Sequence, residues 1–177
     1  SAHGLQGLEG PSAGRTTRGF DPAEREAAAR RRARARFEQD RRAGVETRTW
    51  AALPSADRQA IVGAELVADQ PRWELARQVR ACATASGDEA EFVRRMRRQG
   101  LLVRPRLAEG HQEIVTGYSV AARPPAGERP IWYGGGHLAH DLTLPRLRLD
   151  WPNSVEGATG ASAEWTAARR GRRPAAP

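Results

Sequence analysis

The chain has 177 residues, 39% hydrophobic and 6% aromatic, with a formal net charge of +8. That composition allows one lean domain with tails and favours an anionic partner: nucleic acid, an anionic membrane surface or an acidic protein. It excludes a membrane span, because no run approaches the roughly 18 apolar residues required, and a single cysteine excludes an internal disulfide.

All 29 basic residues are arginine. Part of that excess is what GC-rich coding produces, so a solvated arginine face is the plain alternative to any functional reading. Arginine nonetheless brings a planar fork for phosphates and a flat face for stacking on bases. Cys82 lies in an Ala-rich helical pattern and is expected to be a small buried residue. A lone cysteine and a polar, Gly-rich start with no visible signal peptide suit the cytoplasm.

Residues 1–48 read as a flexible basic arm, with eleven arginines against seven acidic residues. Within it Asp21, Pro22 and Glu24 form a helix start, and Gly44 is a natural stop. The Ala/Arg helix between them shows almost no apolar stripe beyond Phe37, so it is expected to be a solvated linker or an arm that folds on a partner such as DNA. Residues 49–85 read as a two-helix segment. Ser55 caps the first helix, Asp69 caps the second with Pro71 in its opening turn, and Trp50 and Leu53 precede them as anchors.

Residues 86–152 carry the clearest pattern. Ser86 to Glu89 is a capping box, Phe92, Val93 and Met96 form an apolar helix face, and Gly100 ends the helix. Leu101 to Leu107 then alternates with period two, which predicts a strand with Arg104 and Arg106 on one face. A hairpin loop leads to a strand over 114–122, and a longer Pro-rich turn leads to a third strand beginning at Ile131. Thr143 is placed to cap a last helix. The fold class is therefore α+β: a helical N-terminal half, then a small helix, three-stranded antiparallel sheet and helix, with disordered basic ends, the last of them 153–177.

The candidate site rests on two stretches. FVRRMRRQGLLVRPR carries Arg94, Arg95, Arg97, Arg98, Arg104 and Arg106 with no acid among them. If helix and strand are adjacent, the six charges can share a rim, whose mutual repulsion costs stability unless an anion sits beside it. IWYGGGHL offers Trp132 and Tyr133 for base stacking, and Gly134, Gly135 and Gly136 for a backbone phosphate nest. The alternative is that one aromatic is core and the glycines make a tight turn or bulge. His137, His140 and Asp141 have ligand-like spacing but lack a third convergent partner, so no metal site is expected. Neither a paired acid and base nor a phosphate-binding Gly loop is present, and no catalytic residue or cofactor is assigned.

The stretches EAEFVRRMRRQGLLVRPR and IVTGYSVAARPPAGERPIWYGGGHLAHDLTLPRLRLDWP make residues 71–152 resemble the relaxase/mobilisation proteins of actinobacterial plasmids and integrative elements. In that family the region follows a nuclease that nicks one DNA strand and stays attached through a tyrosine. The resemblance implies conjugative DNA processing. It does not carry the nuclease with it: the family's His-hydrophobe-His motif and N-terminal tyrosine are missing, and the two tyrosines, Tyr118 and Tyr133, both lie in the downstream region. The expectation is a non-catalytic module contacting single-stranded or nicked DNA. The alternative is a protein-interaction module that docks the relaxase onto a coupling or secretion component.

Overall fold

The structure is a computed structural model that describes residues 22–171. The described residues form six α-helices and one three-stranded antiparallel sheet, an α+β chain. They fall into two compact units that divide between Trp73 and Glu74. The expected divisions at 48/49 and 85/86 do not coincide with that one. Residues 1–21 of the expected flexible arm and 172–177 of the expected tail lie outside the described residues, as does the capping role of Asp21.

In the first unit, α1 (Pro22–Arg42) is a packed helix rather than a solvated arm. Its stripe is made of alanine: Ala29 and Ala33, four apart on one face, are fully buried with Val62 and packed by Trp50, Ile61 and Leu66. Phe37 extends the stripe and meets the Trp50 ring edge-on, with centroids 5.5 Å apart. Small side chains let the two helix backbones approach, and arginines then bridge the contact. Arg36 Nε lies 3.0 Å from Glu65, and Arg25 and Arg32 approach Asp69. Arg25 also donates to Gln70 at 2.6 Å and to the Leu66 carbonyl, and its guanidinium sits over Trp73. Apolar periodicity misses such a helix, because its apolar content is alanine and its partners are ionic.

The two helices expected over 55–85 are one, α2 (Ser55–Ala85), with Pro71 inside it. Pro71 has no N–H to give the Val67 carbonyl four residues back, and this break lies at a residue, Val67, that stands 75% exposed. Asp69 caps nothing; it pairs with Arg72 at 2.6 Å within the helix. A short 3₁₀ turn at Trp50–Ala52, capped by Thr49, leads in.

The second unit contains the end of α2, then α3 (Glu89–Arg98), β1 (Leu102–Leu107), β2 (Val115–Ala121), β3 (Tyr133–Gly134), α4 (Gly135–Leu138), α5 (Leu144–Arg148) and α6 (Val155–Arg169). The capping box of α3 lies two residues later than expected. The Asp88 carboxylate accepts from the Glu91 N–H, and the Glu91 carboxylate accepts from the Gly87 N–H. The Ser86 hydroxyl instead donates to the Cys82 carbonyl. Gly100, at φ +85°, turns the chain out of the helix. The strand order is β1-β2-β3, with Val103 opposite Val120, Arg104 opposite Ser119, and Val120 also opposite Tyr133. Two residues suffice for β3, shorter than the alternation from Ile131 suggested.

Residues 153–177 were expected to be a disordered tail, yet 155–169 form α6. Ser154 caps it by accepting from the Gly157 N–H. The helix buries Ala161, Trp165 and Ala168, at spacings of four and three. Trp151, Phe92, Tyr118 and Trp165 pack in that order as a chain of rings, with neighbouring centroids 5.4–6.1 Å apart. One tryptophan among alanines and threonines carries the apolar face, which is why composition alone reads as a tail.

Candidate nucleic-acid interface

The sheet has two unlike faces, and their difference follows from the period of a strand. Val103, Pro105, Tyr118, Val120 and Tyr133 share one side by register. Phe92 of α3 and Trp165 of α6 pack on Tyr118, so the helices cover this side. Arg104, Arg106, Gly117, Ser119 and Gly134 share the other. Arg104 and Arg106 are exposed there.

Trp132 precedes Tyr133 in the strand direction and so takes the arginine side. The Arg104 guanidinium carbon lies 3.9 Å from the centre of the Trp132 ring. Arg106 lies across Gly117 on the neighbouring strand, where a Cβ would run into its guanidinium. Gly117 thus makes room for an arginine to lie flat on the sheet. The result is a surface of two guanidinium groups and one indole, two residues apart along β1 and reaching across to β3. Guanidinium planes accept stacked bases and donate to phosphate oxygens; a half-exposed indole offers a further stacking surface.

The structure divides the six arginines instead of gathering them on one rim. Arg94 donates to Glu164 of α6 at 3.0 Å, and Arg95 pairs with Glu91 one turn back at 3.1 Å. Arg97 is half-buried and shares the field of Glu164; its partial burial lowers its proton affinity from the ordinary value. These three sit on the helical side of the sheet, held by carboxylates that the tail-like α6 sequence and the start of α3 supply. Arg98 is exposed at the end of α3. Arg104 and Arg106 alone of the six lie on the open sheet face.

Trp132 and Tyr133, paired in the sequence reading, are separated by the pleat: Trp132 faces the arginines and Tyr133 faces the core side with Val120. The glycine triplet does not form a phosphate nest. None of Gly134, Gly135 and Gly136 has positive φ, and so the alternation of right- and left-handed residues that aims successive N–H groups at an anion is missing. Its requirement is steric. A Cβ on Gly135 would lie 2.5 Å from the Leu142 carbonyl oxygen and 2.8 Å from the Tyr118 ring. That close approach lets the Tyr118 hydroxyl donate to the Leu142 carbonyl at 2.5 Å in the core.

Asp141, whose spacing from His137 and His140 resembled a ligand set, is committed elsewhere. Its carboxylate takes a two-point contact from Arg80 of α2, at 2.9 and 2.5 Å, with both side chains buried. No group of three His, Cys, Asp or Glu side chains among the described residues could hold a metal ion. Cys82 is buried, and that burial raises its thiol above the ordinary value, which disfavours the thiolate. No helix of the described residues is long and apolar enough to cross a membrane. No family model, curated protein or solved structure matches the chain.

Proposed function

We propose that the second unit is an auxiliary, non-catalytic DNA-binding module of a conjugative relaxase or mobilisation protein. It contacts single-stranded or nicked DNA through phosphates and stacked bases, without reading sequence. The observation that carries this reading is the open sheet face, where Arg104, Arg106 and Trp132 stand together while the opposite face is filled with core. An extended single strand presents phosphates and unpaired bases in alternation, which matches a surface of cations and an indole. A closed duplex hides its base faces in the stack, so an indole has no base to stack on. The resemblance of residues 71–152 to relaxase/mobilisation proteins supplies the biological setting.

The test is fluorescence anisotropy of a labelled single strand of about 30 nucleotides, long enough for a site of the usual size. The expected outcome is binding at low salt that falls about tenfold or more in Trp132→Ala, consistent with about 1–3 kcal/mol per stacked base. Arg104→Ala/Arg106→Ala should weaken it further, whereas Arg94→Ala should matter little, because Arg94 already has Glu164. Binding that survives the loss of Arg104, Arg106 and Trp132 would overturn the assignment of this face.

A further inference from the structure

On the helical side of the second unit, a groove of about 710 Å³ opens between the N-terminal half of α6, the start of β2 and the segment after α5. Its floor is indole: Trp151 and Trp165 line it and are 9% and 2% exposed. Its walls carry aliphatic side chains that the fold leaves in water. Six large hydrophobic residues are strongly exposed among the described residues, and two of them, Ile114 at 50% and Leu149 at 75%, line this groove. A third, Val155 at 79%, stands in the first turn of α6 beside it. Such clustering around a concave indole floor differs from single scattered apolar residues.

The rim has the opposite charge to the chain. Asp88, Glu89 and Glu113 line the groove with Arg148 as its one cation. Arg148 is committed to Glu89, with paired contacts at 2.7 and 2.9 Å, and Glu89 also accepts from the Trp165 indole N–H at 2.6 Å. Asp88 and Glu113 therefore leave the rim net negative in a protein of net charge +8. A nucleic acid is repelled by that rim. A protein segment with aliphatic anchors and flanking arginine or lysine is attracted by it and buries its anchors against the tryptophans.

We infer that this groove docks a short basic, aliphatic segment of a partner protein, independently of the DNA-binding face on the other side of the sheet. The indole floor and the Ile114 and Leu149 walls supply affinity, and the Asp88 and Glu113 carboxylates select for positive charge.

The experiment is selection of a displayed random 15-residue peptide library on the full chain, followed by anisotropy of labelled selected peptides. The expected result is enrichment of sequences with aliphatic residues three or four apart and flanking arginine or lysine. Their affinity should fall at least tenfold in Ile114→Ser/Leu149→Ser and several-fold in Glu113→Arg. Both sites are exposed, so the variants should retain the native circular dichroism spectrum, and single-stranded DNA affinity should be unchanged in the serine variant. Failure of DNA binding in every variant would strike the DNA reading and leave the groove standing. Absence of enrichment, enrichment of acidic sequences, or peptides that bind the serine variant equally well would overturn the inference. So would sedimentation showing a dimer that Leu149→Ser dissociates, since a second copy would then fill the groove.

Discussion

Tyr118 shows how a single residue ties the core to the loop after β3. Its hydroxyl donates to the Leu142 carbonyl, and its ring meets both Phe92 and Trp165. Burial first, and then the Asp141 carboxylate, push the phenol well above its ordinary value, with Arg80 pulling the other way. Because the folded state disfavours the phenolate, the stability Tyr118 supplies is complete below pH 10.0, the ordinary value, and is lost as pH rises beyond it. Tyr118→Phe should cost about 1–3 kcal/mol at pH 7 by leaving the Leu142 carbonyl without its donor. That deficit should shrink by about 1.4 kcal/mol at one pH unit above 10.0. Urea denaturation at the two pH values checks both parts; a constant difference would contradict the assignment. At Gly135, alanine should cost about 1–3 kcal/mol through overpacking against the same ring and carbonyl, read as a lower denaturation midpoint. Sequence reasoning weighed the glycines as a phosphate nest or a tight turn and drew no link between them and Tyr118. A requirement for no Cβ looks the same in sequence whether the neighbour is a phosphate or a packed phenol.

The elements that the sequence disclosed are those whose burial is carried by large side chains at regular spacing. α3 shows Phe92, Val93 and Met96, all fully buried, and β1 alternates in exposure from Val103 to Leu107. What it hid is the packing of α1, whose helix the caps did mark, and the whole of α6; their buried stripes are mostly alanine: Ala29 and Ala33 in one, Ala161 and Ala168 in the other. Alanine reads as neither core nor surface, so only Phe37 and Trp165 mark the faces. For α1 the consequence is a helix held by close backbone approach and by Arg25, Arg32 and Arg36 on Asp69 and Glu65. Ala33→Glu places a carboxylate in that contact and should detach α1. Limited trypsin digestion should then cut the freed arginines of 22–42 many times faster than in the parent chain, while 74–171 stays protected. Equal cleavage rates would mean that α1 is not held there. For α6, Trp165→Ala removes the one large anchor at 2% exposure and should cost about 3–5 kcal/mol. A loss below 1 kcal/mol in thermal or urea unfolding would restore the reading of this segment as a dispensable tail.

At the scale of the molecule, two physical roles separate among the arginines. Arg25, Arg32, Arg36, Arg80, Arg94 and Arg148 are structural, each facing a carboxylate. Arg104 and Arg106 lie on an open sheet face beside Trp132. The sequence reading weighed the arginine run as one cluster because charge is visible in a sequence while its counter-charges, seventy residues away in the case of Glu164, are not. Net charge of +8 therefore overstates the local field at the six carboxylate-facing arginines and understates the difference between the two sides of the sheet.

The central claim is that the open face, and not the overall charge, meets the DNA backbone. It is tested most directly by the salt dependence of single-strand binding in the parent chain and in Arg104→Ala/Arg106→Ala. Each phosphate contact contributes a slope of about 0.7 in log affinity against log salt concentration. Removing two contacts should flatten the slope by about 1.4 while Arg94→Ala leaves it unchanged. Equal slopes in the parent and the double variant would contradict the account, because the binding would then come from the diffuse charge of the chain.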